Sequence, residues 1–417
     1  LAAGLIFRVA ELGLRPMDQE EVKRAVKFGL LLENGIYQYD QQSHLEPSLY
    51  YLSLPFAWVV SGQDFASLTE TALRLGPALF GAGFILLLLL LIQGMGRQAV
   101  LFSALCAALS PVMTYYSRFY IQETLLIFLL LGFLASLWRA LQGPSTGWAI
   151  AAGLFAGVIY ATKVSSVITF GAVGGALLAG RVLTKRPGRA GERRVKRPLL
   201  LWLLGVMVAL IVSFVFYSSF FSNPRGWLNS LLSFKTYFVR EGKPGWLEYL
   251  KMLALSRCAN GIVWSEAFVL ILALLGAVAS FRARNLRSAE FSFPTFVLFY
   301  SIFSTAIYSL IPYKTPWNLL PLYVGLILLA GRGAFFLLER AWPLILRSSI
   351  LAILGAGFIH LGIQNFRANF VFYEDPCNPY VYAQISKGFL GLVQQVEHLS
   401  RLHPDGRKML ILSLIHI

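Results

Sequence analysis

Leu73–Ile92 reads LRLGPALFGAGFILLLLLLI and closes on eight consecutive Ile and Leu residues, Ile85–Ile92. The hydrocarbon core of a bilayer is about 30 Å thick, and a helix needs roughly 20 apolar residues to cross it. This stretch has that length, and its second half shows no polar face of the kind a soluble helix turns to water. The same signature recurs in Leu125–Leu137, Leu199–Phe216, Val269–Ser280 and Leu319–Ala330. About eleven spans can be placed: Leu1–Leu12, Leu73–Ile92, Val100–Tyr115, Thr124–Leu141, Trp148–Tyr160, Ser165–Ala179, Leu199–Ser219, Ile262–Phe281, Phe293–Ile311, Leu319–Leu338 and Leu344–Ile363. The expected fold class is therefore all-α, a polytopic transmembrane helical bundle with a structured first outer loop.

Composition agrees. Hydrophobic residues make up 57% of the 417 and charged residues 13%, about half the charge fraction of ordinary soluble domains. A net charge of +16 in a soluble protein would suggest nucleic acid. Here the charge follows the positive-inside rule, and no nucleic-acid partner is expected. Arg181–Arg197 holds eight Lys and Arg against Glu192, and the alternation of spans puts it on one side with Arg97, Arg139, Arg282–Arg287 and Arg332–Arg347. Those loops hold 16 basic residues and three of the 20 acids. The other side carries two long segments, roughly Gly13–Glu70 and Ser218–Ala259, the short turns at Arg118–Glu123, Lys163 and Tyr313–Asn318, and the tail after Asn365. This predicts an integral membrane protein with its functional face outside.

Residues 1–366 are expected to form the transmembrane domain, and 367–417 the start of an outer C-terminal domain. The apolar stretches at Leu1 and at Leu410–Ile417 suggest a reading frame cut at both ends. Cys106, Cys258 and Cys377 form no CxxC pattern, and the histidines show no ligand spacing. Neither redox chemistry nor a zinc site is expected. No cofactor is expected, with a divalent metal left open.

The first outer loop carries its own elements. Asp18-Gln-Glu-Glu21 reads as a capping box that opens a helix to about Glu33, stopped by Asn34-Gly35. Val22, Ala25, Val26 and Leu30 share a face suited to the membrane interface. Tyr50–Val60 is a second apolar helix, too short to span. Six charged positions then meet at the outer face: Glu20, Glu21, Arg118, Glu123, Lys163 and Lys314. A charge beside an apolar span costs about 2–3 kcal/mol unless it snorkels or pairs. Lys or Arg at that depth can hold the phosphate of a lipid-linked donor, and a carboxylate can take the proton of an acceptor hydroxyl. Each residue also has a plainer use. Asp18 is an N-cap, Glu21 its box partner, Arg118 and Glu123 an interfacial ion pair, and Lys163 and Lys314 snorkelling anchors. Their convergence on one face favours a site.

Several motifs occur in order: Arg15-Pro-Met with a following acidic pair, Gly35-Ile-Tyr-Gln-Tyr-Asp40, Pro47-Ser-Leu-Tyr-Tyr51, Tyr115-Tyr-Ser-Arg-Phe-Tyr-Ile-Gln-Glu123, Tyr160-Ala-Thr-Lys163 and Ile311-Pro-Tyr-Lys-Thr-Pro-Trp-Asn318. In these the chain resembles the flippase-activity-associated proteins of prokaryotic glycosylation loci. That group lies within the C-type glycosyltransferase superfamily, near the protein O-mannosyltransferases and aminoarabinose transferases of glycosyltransferase family 39. The resemblance implies a catalytic first outer loop, a polyprenyl-phosphate sugar donor, and inverting transfer to a glycan, lipid or protein acceptor. It implies catalytic parts for Glu20, Glu21, Glu123 and Arg118. Substrate contacts fall to Lys163, Lys314, Arg24, Tyr313 and Trp317. Glu20 stands where the family has Asp, Arg24 where it has His, and Leu45-Glu46-Pro47 where it has His-Gly-Pro.

Two other functions fit less of the sequence. A non-catalytic protein could bind the lipid-linked sugar for flipping or handover. A transporter would show paired mid-span carboxylates or an internal repeat, and neither is visible.

Overall fold

A computed structural model describes residues 1–41, 45–60, 65–143, 145–183, 197–237, 245–258, 261–286, 291–340 and 342–382, with a few positions between 391 and 402. The basic run between residues 184 and 196 lies outside the described residues, as does most of the expected C-terminal domain. Among the described residues the chain is mostly helical: α1 Ala2–Val9, α2 Gln19–Asn34, α3 Ser48–Val60, α4 Glu70–Leu87, α5 Ile92–Met95, α6 Arg97–Leu109, α7 Pro111–Ser117, α8 Gln122–Gln142, α9 Thr146–Thr162, α10 Ser166–Leu183, α11 Arg197–Tyr217, α12 Arg225–Tyr237, α13 Glu248–Ala254, α14 Ala267–Leu286, α15 Phe293–Leu310, α16 Leu320–Leu338 and α17 Leu344–Phe366. One two-stranded ribbon, β1 (Ser256–Arg257) with β2 (Val263–Trp264), interrupts them.

Each expected span contains a helix, but their lengths are unequal. Among the described residues six helices are long and apolar enough to cross a bilayer, and the bent pair α6–α7 makes a seventh. Thr146–Thr162, Ser166–Gly180 and Ala267–Arg282 are apolar but shorter, and the expected Leu1–Leu12 span is an eight-residue helix. The protein is a polytopic integral membrane protein. At the centre α16 packs against α6, α14 and α15, while α9 packs between α8 and α11. Glycine permits the closest crossings. A Cβ on Gly276 would lie 1.9 Å from the Leu329 carbonyl oxygen, and one on Gly333 1.9 Å from that of Leu272. Without a hydrophobic drive between helices in lipid, such backbone approach is a main source of association.

The first loop folds much as its sequence predicts. Asp18 caps α2 by accepting from the Glu21 backbone N–H at 2.9 Å, and Gly35 ends the helix at φ 68°. Only half of the capping box forms, because the Glu21 side chain turns inward to other partners. Val22, Val26 and Leu30 stay exposed while Glu21, Arg24 and Phe28 are buried. That pattern, apolar outward and charged inward, suits a helix lying at the lipid boundary.

Two features were not legible beforehand. Between α6 and α7 the path bends by 61° at Ser110-Pro111. The buried Glu266 carboxylate fills the break, accepting from the Ser110 hydroxyl (2.7 Å), the Val112 N–H (3.0 Å), and the hydroxyls of Tyr323 (2.5 Å) and Tyr380 (2.8 Å). The second is a cysteine pairing. Cys258 and Cys377, 119 residues apart, form a disulfide. Sequence distance hid the pair, because the fold returns the tail beside the β1–β2 ribbon.

Candidate functional site

The polar residues expected at the outer face separate into a structural brace and an open cluster. The brace is built on Glu21. Arg74 reaches it from inside α4 with two parallel hydrogen bonds, Nε to Oε1 at 2.8 Å and Nη2 to Oε2 at 2.6 Å. Arg15 adds a 3.2 Å contact, and the Tyr120 N–H donates at 2.7 Å. Burial alone would raise the Glu21 pKa, but the guanidinium groups of Arg74 and Arg15 outweigh it and hold the carboxyl below its usual value. With both oxygens engaged by these groups, Glu21 fastens α2 to α4 and to the α7–α8 turn.

Arg118 also differs from its expected place. It does not pair with Glu123. Its guanidinium donates to the carbonyls of Phe7, Ala10 and Glu11 at the end of α1, and it stacks on Phe370 at 4.5 Å. Lys314 likewise turns back on its own helix. Nζ donates to the carbonyls of Tyr308, Ser309 and Ile311 at 3.0–3.1 Å, a C-terminal cap for α15. Partial burial lowers its pKa, with Glu248 acting against that shift. Tyr313 and Trp317 meet the tail. The Tyr313 and Tyr382 hydroxyls lie 3.3 Å apart, and the Trp317 and Tyr382 rings are 4.8 Å apart.

The open cluster gathers where α2, α3, α8 and the α9–α10 turn converge. Arg24 is its centre. Its Nη1 donates to Glu20 Oε2 at 2.9 Å and to the Glu20 carbonyl at 2.7 Å, and its Nε donates to Gln122 Oε1 at 2.8 Å. Glu123, in the first turn of α8, accepts from Lys163 Nζ at 2.8 Å, and the same ammonium donates to Asn318 Oδ1 at 2.8 Å. The Arg24 charge acts on Glu123 as well, so the two cations share this region. Glu20 is half-buried and bound to Arg24 and Lys23. Burial raises its pKa, but those contacts prevail and leave it below the ordinary value. Among the described residues the buried Gln122 Nε2, Glu123 Oε2 and Tyr50 hydroxyl have no hydrogen-bond partner. Unsatisfied buried polar atoms cost about 1–3 kcal/mol each, so three around one cation favour a polar ligand.

Of the expected residues, then, Glu20, Arg24, Glu123 and Lys163 come together, while Glu21, Arg118, Lys314, Tyr313 and Trp317 have other neighbours. Two further residues were not among the expected site residues. Arg74 sits alone in an apolar run, and a lone charge in a span is itself a signal. Glu46 is 5% exposed, and its Oε1 accepts from the Val164 N–H at 3.0 Å, beside Lys163. Burial pushes its pKa up to about 7 against the opposing Val164 bond and Lys163 charge. Among the described residues no group of three His, Cys, Asp or Glu is arranged to hold a metal ion.

Residues 56–218 match the sequence model of the family described as dolichyl-phosphate-mannose-protein mannosyltransferase. No curated protein matches the chain. Among solved structures, the fold is shared with ArnT from Cupriavidus metallidurans bound to undecaprenyl phosphate, at a TM-score of 0.64 and 17% identity over 88% of this chain and 63% of that one. It is shared with the Archaeoglobus fulgidus oligosaccharyltransferase tethered to an acceptor peptide, at 0.56 and 13% over 97% and 57%. The oligosaccharyltransferase AglB from the same organism, with an inhibitory peptide and a dolichol-phosphate, gives 0.56 and 13% over 95% and 57%. The chain spans less than two thirds of the length of each of these proteins. The family match is confined to residues 56–218, and with the solved structures the chain shares a fold.

Proposed function

We propose that the protein transfers a sugar from a polyprenyl-phosphate donor to an acceptor on the extracytoplasmic side of a prokaryotic plasma membrane. The observation that carries this is the cluster itself: buried Arg24 and Glu123 meet half-buried Lys163 and Glu20 where α2 packs on the α7–α8 and α9–α10 turns. Two cations there can neutralise the phosphate and support the charge that develops as it leaves. A carboxylate close by can receive the acceptor's proton. The fold relatives holding undecaprenyl phosphate and dolichol-phosphate support the donor class. The disulfide supports the orientation, since it joins two segments on the acid-rich side and disulfides persist in oxidising compartments. The motif order of the first loop favours the flippase-activity-associated group within the superfamily.

The test is release of undecaprenyl phosphate from undecaprenyl-phosphate-linked sugars by the reconstituted protein, comparing wild type with Glu20→Gln. Release by wild type supports the reading; wild type that neither binds nor turns over any such donor defeats it. A second reading, donor binding without turnover, is favoured by the capture of Glu20 between Lys23 and Arg24. It predicts binding that is insensitive to Glu20→Gln and no release.

A further inference from the structure

We propose that Glu46 is the proton acceptor of the transfer reaction and that Glu20 is a positioning residue acting through Arg24. The proposal rests on the transfer reading above.

Among the described residues Asp18, Glu20, Glu21, Glu46 and Glu123 are buried or half-buried here; Asp18 is committed to capping α2, and three of the others are in contact with a cation. Glu20 lies 2.9 Å from Arg24, Glu21 lies 2.6 Å from Arg74, and Glu123 lies 2.8 Å from Lys163. Among the described residues no Lys or Arg nitrogen is in ion-pair contact with Glu46, whose Oε1 instead accepts from the neutral Val164 N–H. That bond fixes the carboxyl to the turn carrying Lys163, so it is held at the cluster without a cation occupying its lone pairs. Charged and titratable groups face it from every side. Lys163 does so from the α9–α10 turn and Arg24 from α2, with Tyr50 of α3, Tyr160 of α9, Tyr217 of α11, and Tyr37 and Tyr39 of its own loop. Four of these tyrosine hydroxyls are committed elsewhere. Tyr37 donates to the Leu45 carbonyl, Tyr39 to Ser233 Oγ and Tyr217 to the Tyr160 carbonyl, while the Tyr160 hydroxyl lies 3.3 Å from Ser230 Oγ.

The chemistry selects the same residue. As the acceptor O–H or N–H attacks the anomeric carbon, the bond from that carbon to the phosphate oxygen breaks. Its electron pair leaves on the polyprenyl phosphate, and the proton passes to the Glu46 carboxylate. A base is most effective when its pKa lies near the working pH. Glu46 is pushed up to about 7, whereas Glu20 is held below the usual carboxylate range and is correspondingly weaker.

The experiment measures undecaprenyl phosphate release by full-length protein in nanodiscs, from a panel of undecaprenyl-phosphate hexoses and pentoses with envelope lipid extract as acceptor, across the neutral range. Wild type should show an acid limb with a midpoint near 7. Glu46→Gln should lower kcat by roughly 10²–10⁴-fold, remove the limb and leave donor KM nearly unchanged. Glu46→Asp should keep a limb at lower pH with a reduced rate. Glu20→Gln should raise KM and keep the limb. A Glu46→Gln enzyme that retains the wild-type limb overturns the proposal. If that variant does not fold, a flat wild-type profile, or an unmoved midpoint and rate in Glu46→Asp, overturns it instead. Wild type that binds undecaprenyl phosphate but releases none from any donor defeats the transfer reading, and this proposal falls with it.

Discussion

Replacing Arg74 with Met should be among the most damaging single changes in the protein. Arg74 is 1% exposed and its partner Glu21 is 0% exposed, and the guanidinium donates to both Glu21 oxygens. It also serves three backbone carbonyls where the chain leaves α1 and enters α2: Leu12 at 2.7 Å, Arg15 at 2.6 Å and Pro16 at 3.4 Å. Removing one partner of a buried ion pair costs about 3–5 kcal/mol, because the other charge stays buried. Arg15 and the Tyr120 N–H would still hold Glu21, which argues for the lower half of that range. Carbonyls left without a donor add about 1 kcal/mol each where water cannot reach them. The sum is about 4–6 kcal/mol. Steric trapping in bicelles, an equilibrium unfolding measurement, would read it. Glu21→Gln/Arg74→Met should recover about 2 kcal/mol relative to the sum of the single changes, the coupling expected of residues in contact. A cost under about 1 kcal/mol for Arg74→Met, or strictly additive single changes, would refute the brace.

The remaining predictions are smaller in scope. Lys163→Ala should weaken undecaprenyl phosphate binding by roughly 10- to 100-fold, and Lys314→Ala by no more than about two-fold, because Lys314 caps α15. Isothermal titration in nanodiscs checks both, and equal losses would contradict the geometry. Reduction of Cys258–Cys377, or Cys377→Ser, should cost about 2–5 kcal/mol of equilibrium stability; an unchanged unfolding midpoint would show the cross-link carries no stability. Glu46 gives a pH dependence of definite sign. With its carboxyl raised from 4.5 to about 7 in the fold, the unfolded chain loses this proton first. Stability should therefore fall as pH rises from 4.5 to 7, by about 3 kcal/mol. Glu46→Gln should abolish that slope. Glu21 contributes the opposite way: its stabilisation is present above 4.5 and is lost as pH falls through its lowered value.

The membrane fold was legible because apolar length is a one-dimensional property. Leu73–Ile92 needs no knowledge of its neighbours to read as long enough for a membrane span. Local chemistry was legible for the same reason. The Asp18 cap and the Gly35 stop depend on residues within one turn. What could not be read is how a charge divides its attention among distant partners. Lys163 and Lys314 look alike in sequence, each within three residues after a Tyr at the end of an apolar run. One reaches across to Glu123 and Asn318, and the other folds back on three carbonyls three to six residues before it. Glu21 and Glu20 are neighbours in the chain, but the helix turns them toward different residues, and only Arg74, 53 residues on, determines which becomes the brace. Glu46 was visible as a departure from a motif. Its significance came from burial, which no local pattern reveals.

The bend at Ser110-Pro111 also bears on the order in which this protein can be assembled. Its hydroxyl and N–H are satisfied by Glu266, which follows them by 156 and 154 residues. At typical synthesis rates that interval lasts roughly 10–30 s. Throughout it, the broken span holds polar backbone at the membrane with its final partner not yet made. The insertion machinery, or water at its lateral gate, must shelter the bend until α14 arrives. A nascent chain arrested before residue 266 should leave Ser110 open to a water-soluble thiol probe after Ser110→Cys, and one arrested well past α14 should protect it.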